Sequence, residues 1–478
     1  MAALINERKN ERTDLVARTR WRLLGVTCMG TLMIVFDATI VNVAIPQICA
    51  DLSLSGSALV WIVNGYNIPY GVFLPVCGRL GDHYGRGRLF VGGVMLFALA
   101  SLACGLARTT GVLIGARIVQ GIGGAAVAAA SAALVMERFL EVSERAKAFA
   151  ILSAVSATGS SVAILLGGLV TAELNWRWIF LGNLPIALSV SVCFPTRPTQ
   201  FERQTGYGQI DFAGAITVSL SLIFAVLGVL RAAGDGWWSV NTLLPLSAAV
   251  VFGFVFISIE NRVSAPILPF RLLGNRNLIL GVLIGGFWAA GQSAWFLLCS
   301  LYLQLVLKYN PFEVGLSFLP ACLATAAFSV GVSARFVARF GISFAVTAGL
   351  SLVAVGLAFF ARAPVNATFA TDVLPGMVLF GVGCGMAYSP LVVCALRGVS
   401  SADYGAASGV FNSASVLGGA CALALLAGIA SARTSFLIKG GVTSINALNS
   451  GYHLAFWVCA LLAAVAVLGT RLFRADNT

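Results

Sequence analysis

Leu23-Leu-Gly-Val-Thr-Cys-Met-Gly-Thr-Leu-Met-Ile-Val-Phe-Asp37-Ala-Thr-Ile-Val-Asn-Val-Ala-Ile45 is a continuous apolar run with one ionisable side chain, Asp37, near its middle. It matches the ~20 residues a helix needs to cross the hydrocarbon core of a bilayer. Comparable runs recur near 58–77, 89–107, 111–136, 148–171, 178–195, 211–230, 241–259, 279–305, 314–334, 342–361, 373–396, 404–430 and 452–473, making fourteen expected spans. The runs are continuous rather than alternating, and only helices or closed barrels satisfy the backbone in lipid, so the fold class is all-α and polytopic. Composition agrees: 59% hydrophobic and 10% charged, with 52 glycines in 478 residues, excludes an ordinary soluble domain. A lipid-facing ionised carboxylate at the depth of Asp37 costs at least ~2.5 kcal/mol, so this acid is expected to line a cavity, pair with a cation or carry protons.

The net charge of +12 invites a nucleic-acid reading, and its distribution argues against one. With a cytoplasmic amino terminus, most of the 30 Lys and Arg residues fall in inner loops, among them Arg79, Arg86, Arg88, Arg138, Arg197, Arg203, Arg335, Arg339, Arg397 and Arg474. Arg108, Arg177, Arg231, Lys308, Arg362, Arg433 and Lys439 fall outside, and Arg117 lies within a span. That asymmetry is the positive-inside pattern and puts both termini, including Thr478, in the cytoplasm. The first span is too long for a cleaved signal peptide and carries Asp37. The 11 cysteines are scattered through apolar runs without paired spacing and read as small hydrophobes; no disulfide framework, metal site or cofactor is expected.

The spans group as 6 + 2 + 6. Residues 1–22 form an amino-terminal cytoplasmic segment, 23–198 a first six-helix bundle ending at Pro195-Thr-Arg-Pro198, and 199–277 a linker with two additional spans that opens on the polar stretch Thr199 to Gln209. Residues 278–478 form a second six-helix bundle with a short tail. A faint repeat supports related halves: Gly78-Arg-Leu-Gly-Asp-His-Tyr-Gly85 after span 2 matches Ala334-Arg-Phe-Val-Ala-Arg-Phe-Gly341 after span 10 at Arg, aromatic and Gly positions. Parallel repeats of this kind place a substrate site between the halves near the midplane.

The loop Gly78-Arg79-Leu-Gly81-Asp82-His-Tyr-Gly85-Arg86-Gly-Arg88 carries more signal than topology requires, since Asp and three Gly at fixed spacing do nothing for orientation. It closely resembles the signature between spans 2 and 3 of the major facilitator superfamily. Glycines there allow a tight turn, and Asp82 can pair with arginines or a helix amino terminus, so Gly78, Arg79, Gly81, Asp82, Gly85 and Arg86 are expected to form a conformational latch. In span 4, Arg117, Gln120, Gly121 and Gly124 share one helical face. Leu113 to Ala125 resembles the superfamily's R-x-x-Q-G motif, whose arginine is implicated in proton handling. The alternative is a structural arginine satisfying carbonyls of a neighbouring helix.

Asp37-Ala-Thr-Ile-Val-Asn42-Val-Ala-Ile-Pro46 is similar to the span 1 motif of the fourteen-span drug:proton antiporters, which implies a proton-coupling role for Asp37 and Arg117. Asn42 is placed to hydrogen-bond within the bundle, and Pro46 to end the helix. Span 5 departs from the antiporter signature G-x-x-x-G-P-x-x-G-G, reading Ala163-Ile164 where Gly-Pro is expected and losing a source of kinking. Family-like strings continue at Trp176-Arg-Trp-Ile-Phe-Leu-Gly-Asn-Leu-Pro185, Leu301-Tyr-Leu-Gln304, Gly315-Leu-Ser-Phe-Leu-Pro320 and Gly405-Ala-Ala-Ser-Gly409 with Asn412, so the resemblance covers nearly the whole chain.

In span 9, Trp288, Gln292, Trp295, Cys299 and Tyr302 recur at helical spacing, a stripe that suits a planar or cationic organic compound and equally suits packing or lipid contact. Asn64 and Asn67 in span 2, Gln120 in span 4, and Asn412 between Ser408 and Ser415 in span 13 are further polar candidates for a substrate cavity, with Asn42. Trp237 and Trp238 read as interfacial anchors. His83 and His453 lie outside the spans or at a span start and make poor relays, and no Walker A loop is present. The resemblance implies a non-enzymatic secondary transporter of the bacterial cytoplasmic membrane, functional as a monomer, exporting a small organic substrate in exchange for protons and binding no nucleic acid. A facilitator of one metabolite and a non-transporting sensor or scaffold are the rivals.

Overall fold

A computed structural model describes residues 2–53, 56–139, 141–194, 211–263, 270–399 and 404–473. The Pro195–Pro198 segment, the polar stretch 199–209 with Arg203, and Arg474 and Thr478 lie outside them. The described residues form helices without strands: α1 Ala2–Asp51, α2 Gly56–Tyr84, α3 Arg86–Gly105, α4 Thr110–Arg138, α5 Val142–Glu173, α6 Arg177–Leu181, α7 Asn183–Cys193, α8 Phe212–Asp235 and α9 Val240–Glu260. There follow α10 Arg276–Leu301, α11 Pro311–Ala327, α12 Ser333–Phe340, α13 Ile342–Phe360, α14 Leu374–Ala395, α15 Tyr404–Lys439 and α16 Ser444–Thr470. Eleven of the described helices are long and apolar enough to cross a membrane, and the shorter apolar segments Val162–Glu173, Arg177–Cys193 and Pro311–Ala327 occupy the places of the remaining expected spans.

Polar side chains at the ends set where these helices begin. Asp211 Oδ1 accepts from the Gly214 N–H at 2.7 Å to start α8, and Asn275 caps α10. Asn310 and Glu313 form a reciprocal capping box ahead of α11, with Pro311 at its first turn. Gly85 breaks α2 from α3 at φ 99°, and Gly341 breaks α12 from α13 at φ 84°. These are equivalent positions of the sequence repeat, and each sits in the left-handed region that glycine enters without a Cβ penalty. Pro46 does not end its helix as expected: α1 runs through it to Asp51.

Among the amino-terminal helices α1 packs on α5 and α3 on α4; among the carboxy-terminal ones α10 packs on α15 and α13 on α14. The two groups meet through α5 with α11, α2 with α15, and α1 with α10. Helices α8 and α9 pair with each other, and α8 lies across the α2–α15 seam, where Val226 packs with Ile68, Val72, Leu417 and Ala420. Trp237 and Trp238, in the turn joining α8 to α9, are exposed. At the α5–α11 contact backbones touch: a Cβ on Gly168 would run into the Pro311 carbonyl, and one on Gly315 would lie 2.9 Å from the Ile164 carbonyl oxygen. Ala163 and Ile164, standing where the antiporter signature has Gly-Pro, are buried in this same packing layer.

Candidate functional site

Asp37 is fully enclosed; α4 and α7 supply its donors, and residues of α2, α3 and α6 contact those donors. The face of α4 that carries i and i+3 positions brings Arg117 and Gln120 against α1; Arg117 Nη1 pairs with Asp37 Oδ2 and also donates to Gln120 Oε1 at 2.7 Å. Gln120 Nε2 in turn donates to Asp37 Oδ1 at 2.8 Å and to Ser101 Oγ of α3 at 2.7 Å. Asn183, the first residue of α7, donates from Nδ2 to the same Oδ1 at 3.0 Å and to Ser101 Oγ at 3.3 Å. Arg117 is held besides by the Ile62 carbonyl, 3.2 Å from Nε, and lies over the faces of Tyr66 and Phe180 with its guanidinium carbon 4.6 and 5.7 Å from the ring centroids.

The carboxylate therefore receives one guanidinium and two carboxamide donors in a site with almost no solvent contact: Asp37, Arg117, Gln120 and Asn183 are each 0–1% exposed. Burial without such donors would be prohibitive, whereas a paired and hydrogen-bonded charge is tolerated. A group in this setting changes its surroundings sharply if it takes a proton, because the charge that answers Arg117 disappears and an acceptor oxygen becomes a donor.

Asp37 and Arg117 are neighbours, as their motifs imply, while Gln120, expected in a substrate cavity, is spent on the Asp37 cluster. Asn183 and Ser101 were not expected there. Ser101 has no sequence signal beyond being polar inside an apolar span, whereas Asn183 lies in the family-like string Trp176–Pro185, and the break at Gly182 between α6 and α7 sets it at a helix start facing α1.

At the α2–α3 turn Asp82 pairs with Arg86 at 2.9 Å, and Arg86 also donates to the Ala133 carbonyl at 3.2 Å and lies 3.5 Å from Glu137. The turn is thereby tied to the end of α4, through a glutamate that the motif does not contain. Gly81 lets Leu89 pack over the turn, Gly78 faces open space, and Arg79 is half-buried one turn before Asp82.

The candidate cavity residues separate. Trp288, Gln292, Asn67 and Asn412 are half-buried, Trp288 stacks on Tyr388 with centroids 4.7 Å apart, and Tyr388, 37% exposed, donates to Asn412 Oδ1 at 3.2 Å. Trp295 instead sits in a core of Phe296, Phe318, Phe360 and Phe380, with the Phe380 ring 4.2 Å away, and Cys299 and Tyr302 below it are equally enclosed. The stripe expected on α10 lines an accessible surface only at its first two positions, because α11, α13 and α14 close over the rest. Asn42 turns back onto the Ala38 and Thr39 carbonyls, and Asn64 donates across to the Ala420 carbonyl of α15 at 2.9 Å, so the N–H2 groups of both are spent on backbone.

Residues 27–423 match the Major Facilitator Superfamily. The chain belongs to that superfamily. It is accordingly a multi-pass membrane transporter, and its facilitator fold is also found in solved structures with little sequence in common. The human organic anion transporter MFSD10 superposes with a TM-score of 0.62 at 16% identity over 94% of this chain and 99% of its own. Curated relatives within reach of sequence include the puromycin resistance protein pur8 of Streptomyces alboniger, 34% identical over 96% of this chain and 93% of that protein. The cephamycin export protein CmcT of Amycolatopsis lactamdurans is 31% identical over 98% and 95% respectively. The multidrug resistance protein Stp of Mycobacterium tuberculosis (strain CDC 1551 / Oshkosh) is 33% identical over 88% and 78%.

Proposed function

We propose that this facilitator exports an organic antibiotic-like compound across the bacterial cytoplasmic membrane in exchange for protons, with Asp37 as the exchanging group. The observation that carries the reading is the enclosure of Asp37 by Arg117, Gln120 and Asn183 at the depth of the first span. When a proton forms an O–H bond on the carboxylate, Arg117 loses its counter-charge and one amide N–H faces a donor instead of an acceptor. The cluster then favours a different packing of α1, α4 and α7, which is the differential interaction that a conformational switch needs.

Residues 23–198 and 278–478 act in this reading as the two rocking units, with 199–277 carrying the two additional spans between them. Substrate is taken by the partly exposed surface of Asn67, Trp288, Gln292, Tyr388 and Asn412, where stacked aromatics and carboxamides suit a planar ring with polar substituents. Gly78, Arg79, Gly81, Asp82, Gly85 and Arg86 bias the equilibrium from the inner face, both termini are cytoplasmic, and the monomer suffices. Relatives named for puromycin resistance and cephamycin export make those compounds the first to try.

The test is a panel containing puromycin, lincomycin and a cephamycin on everted vesicles, recording substrate uptake together with collapse of an imposed pH gradient. Uptake that consumes the gradient supports antiport. Uptake indifferent to the gradient makes the protein an uncoupled facilitator, and no movement of any of the three compounds against a vector control removes them as substrates.

A further inference from the structure

Pro46 lies inside α1 and has no N–H to offer the carbonyl of Asn42 four residues earlier, which its ring also crowds. Asn42 is 7% exposed, so water does not make up the loss. A buried carbonyl without a donor costs free energy comparable to a lost hydrogen bond. The donor comes from the other group of helices: Ser300 Oγ of α10, itself fully buried, reaches the Asn42 carbonyl at 3.0 Å.

One residue further, Gln304 Nε2 donates to the Val43 carbonyl at 3.2 Å and to Ser300 Oγ at 3.0 Å. Gln304 fills the acceptor side of the Ser300 hydroxyl and leaves its hydrogen for Asn42. Its reach toward α1 comes from the π-helical stretch Tyr302–Val306 that follows α10. The side chain of Asn42 does not relieve its own carbonyl, being turned to Ala38 and Thr39.

We infer that Ser300, oriented by Gln304, is a switchable donor to the carbonyl that Pro46 strands on α1, and that this bond holds the Asp51 end of the two helix groups together in one state of the transport cycle. When α10 leaves α1, the carbonyl loses its donor until water enters the opening, so the bond has different strength in the two states and sets their ratio. The proline of the span 1 motif thus exposes an acceptor for the opposite half. This role uses neither Asp37 nor a proton and goes beyond the antiport reading.

The experiment is a double-mutant cycle on the substrate-free full chain in nanodiscs, read by hydrogen exchange of the amides over residues 40–51 and 300–307. A typical net hydrogen bond corresponds to a shift of about twofold to tenfold in the opening equilibrium, so Ser300→Ala is expected to speed exchange in both segments by about that factor. In a Pro46→Ala background, where the new N–H serves Asn42, the same substitution is expected to change exchange by less than about half as much on a logarithmic scale. Equal effects of Ser300→Ala in the two backgrounds overturn the proposal, as does no effect in the wild type.

Ser300→Thr and Ser300→Val give a second comparison that does not depend on the proline variant. They place the same volume at the site and differ in the hydroxyl, so exchange is expected to stay slower in the threonine form; identical rates also overturn the assignment. Because no substrate or gradient is used, either result leaves the role of Asp37 to be decided by the vesicle assay.

Discussion

Asp37→Asn replaces the carboxylate by a neutral group of the same shape and leaves Arg117 enclosed at 1% exposure without a counter-charge. Three donors now address Asp37: Arg117 Nη1, Gln120 Nε2 and Asn183 Nδ2. Asparagine keeps one acceptor oxygen and puts an N–H2 group in the place of the other, so either Arg117 or the two carboxamides face a donor and lose their bonds; at roughly 1.5–3 kcal/mol for a hydrogen bond to a charged group, the loss is roughly 3 kcal/mol. That falls at the lower edge of the ~3–5 kcal/mol that breaking a buried ion pair costs. Asp37→Asn is therefore expected to lower the thermal unfolding midpoint in detergent. Arg117→Gln added to it is expected to restore most of the midpoint, because the uncompensated charge has gone.

Transport is expected to behave in the opposite way. Both the single and the double variant lose concentrative export and substrate-evoked proton movement in proteoliposomes, while energy-independent exchange of substrate persists. The stability readout separates a structural ion pair from a coupling group, since recovery of folding without recovery of antiport assigns the carboxylate to the proton. Concentrative export with proton release at the wild-type rate in Asp37→Asn refutes this reasoning, and so does an unchanged midpoint in that variant.

At the inner turn, Asp82→Asn releases Arg86 from one of its two acidic neighbours and is expected to reduce turnover several-fold with little change in KM; equal turnover at equal expression removes the latch role. Gly168→Leu drives a side chain into the Pro311 backbone and is expected to cost about 1–3 kcal/mol and to slow transport, measured as initial uptake rate and midpoint. Trp288→Leu and Trp295→Leu are expected to part company, the first raising KM at nearly constant stability, the second lowering the midpoint through a cavity worth about 2–5 kcal/mol. Reporter fusions after Arg88 and after Thr478 are both expected to give cytoplasmic signals; a periplasmic signal at Thr478 breaks the even span count.

Membrane class, the helical fold and the acid–arginine pair were legible in the order of residues, because each rests on a local property. A run of apolar residues long enough for the bilayer declares a span wherever it sits. A carboxylate and an arginine stranded in such runs must find partners, since lipid offers none. The Gly85 turn was legible too, because a left-handed backbone position favours glycine and the repeat places Gly341 at the equivalent position.

What only the tertiary structure decided is which polar atoms were already spent. Gln120, Asn42 and Asn64 look like cavity residues on a helical wheel, and their N–H2 groups are committed to Asp37, to the Ala38 and Thr39 carbonyls and to the Ala420 carbonyl. Trp295 shares the spacing of Trp288 and lies in a different environment, because three other helices close over one level of α10 and leave the next open. Asn183 and Ser300 sit 146 and 258 residues from the groups they serve, and nothing in their neighbours announces it. Sequence periodicity reports which side of a helix a residue occupies; the depth at which another helix crosses that side is set by packing between distant segments, and at Asp37 and at Pro46 that crossing determines the chemistry.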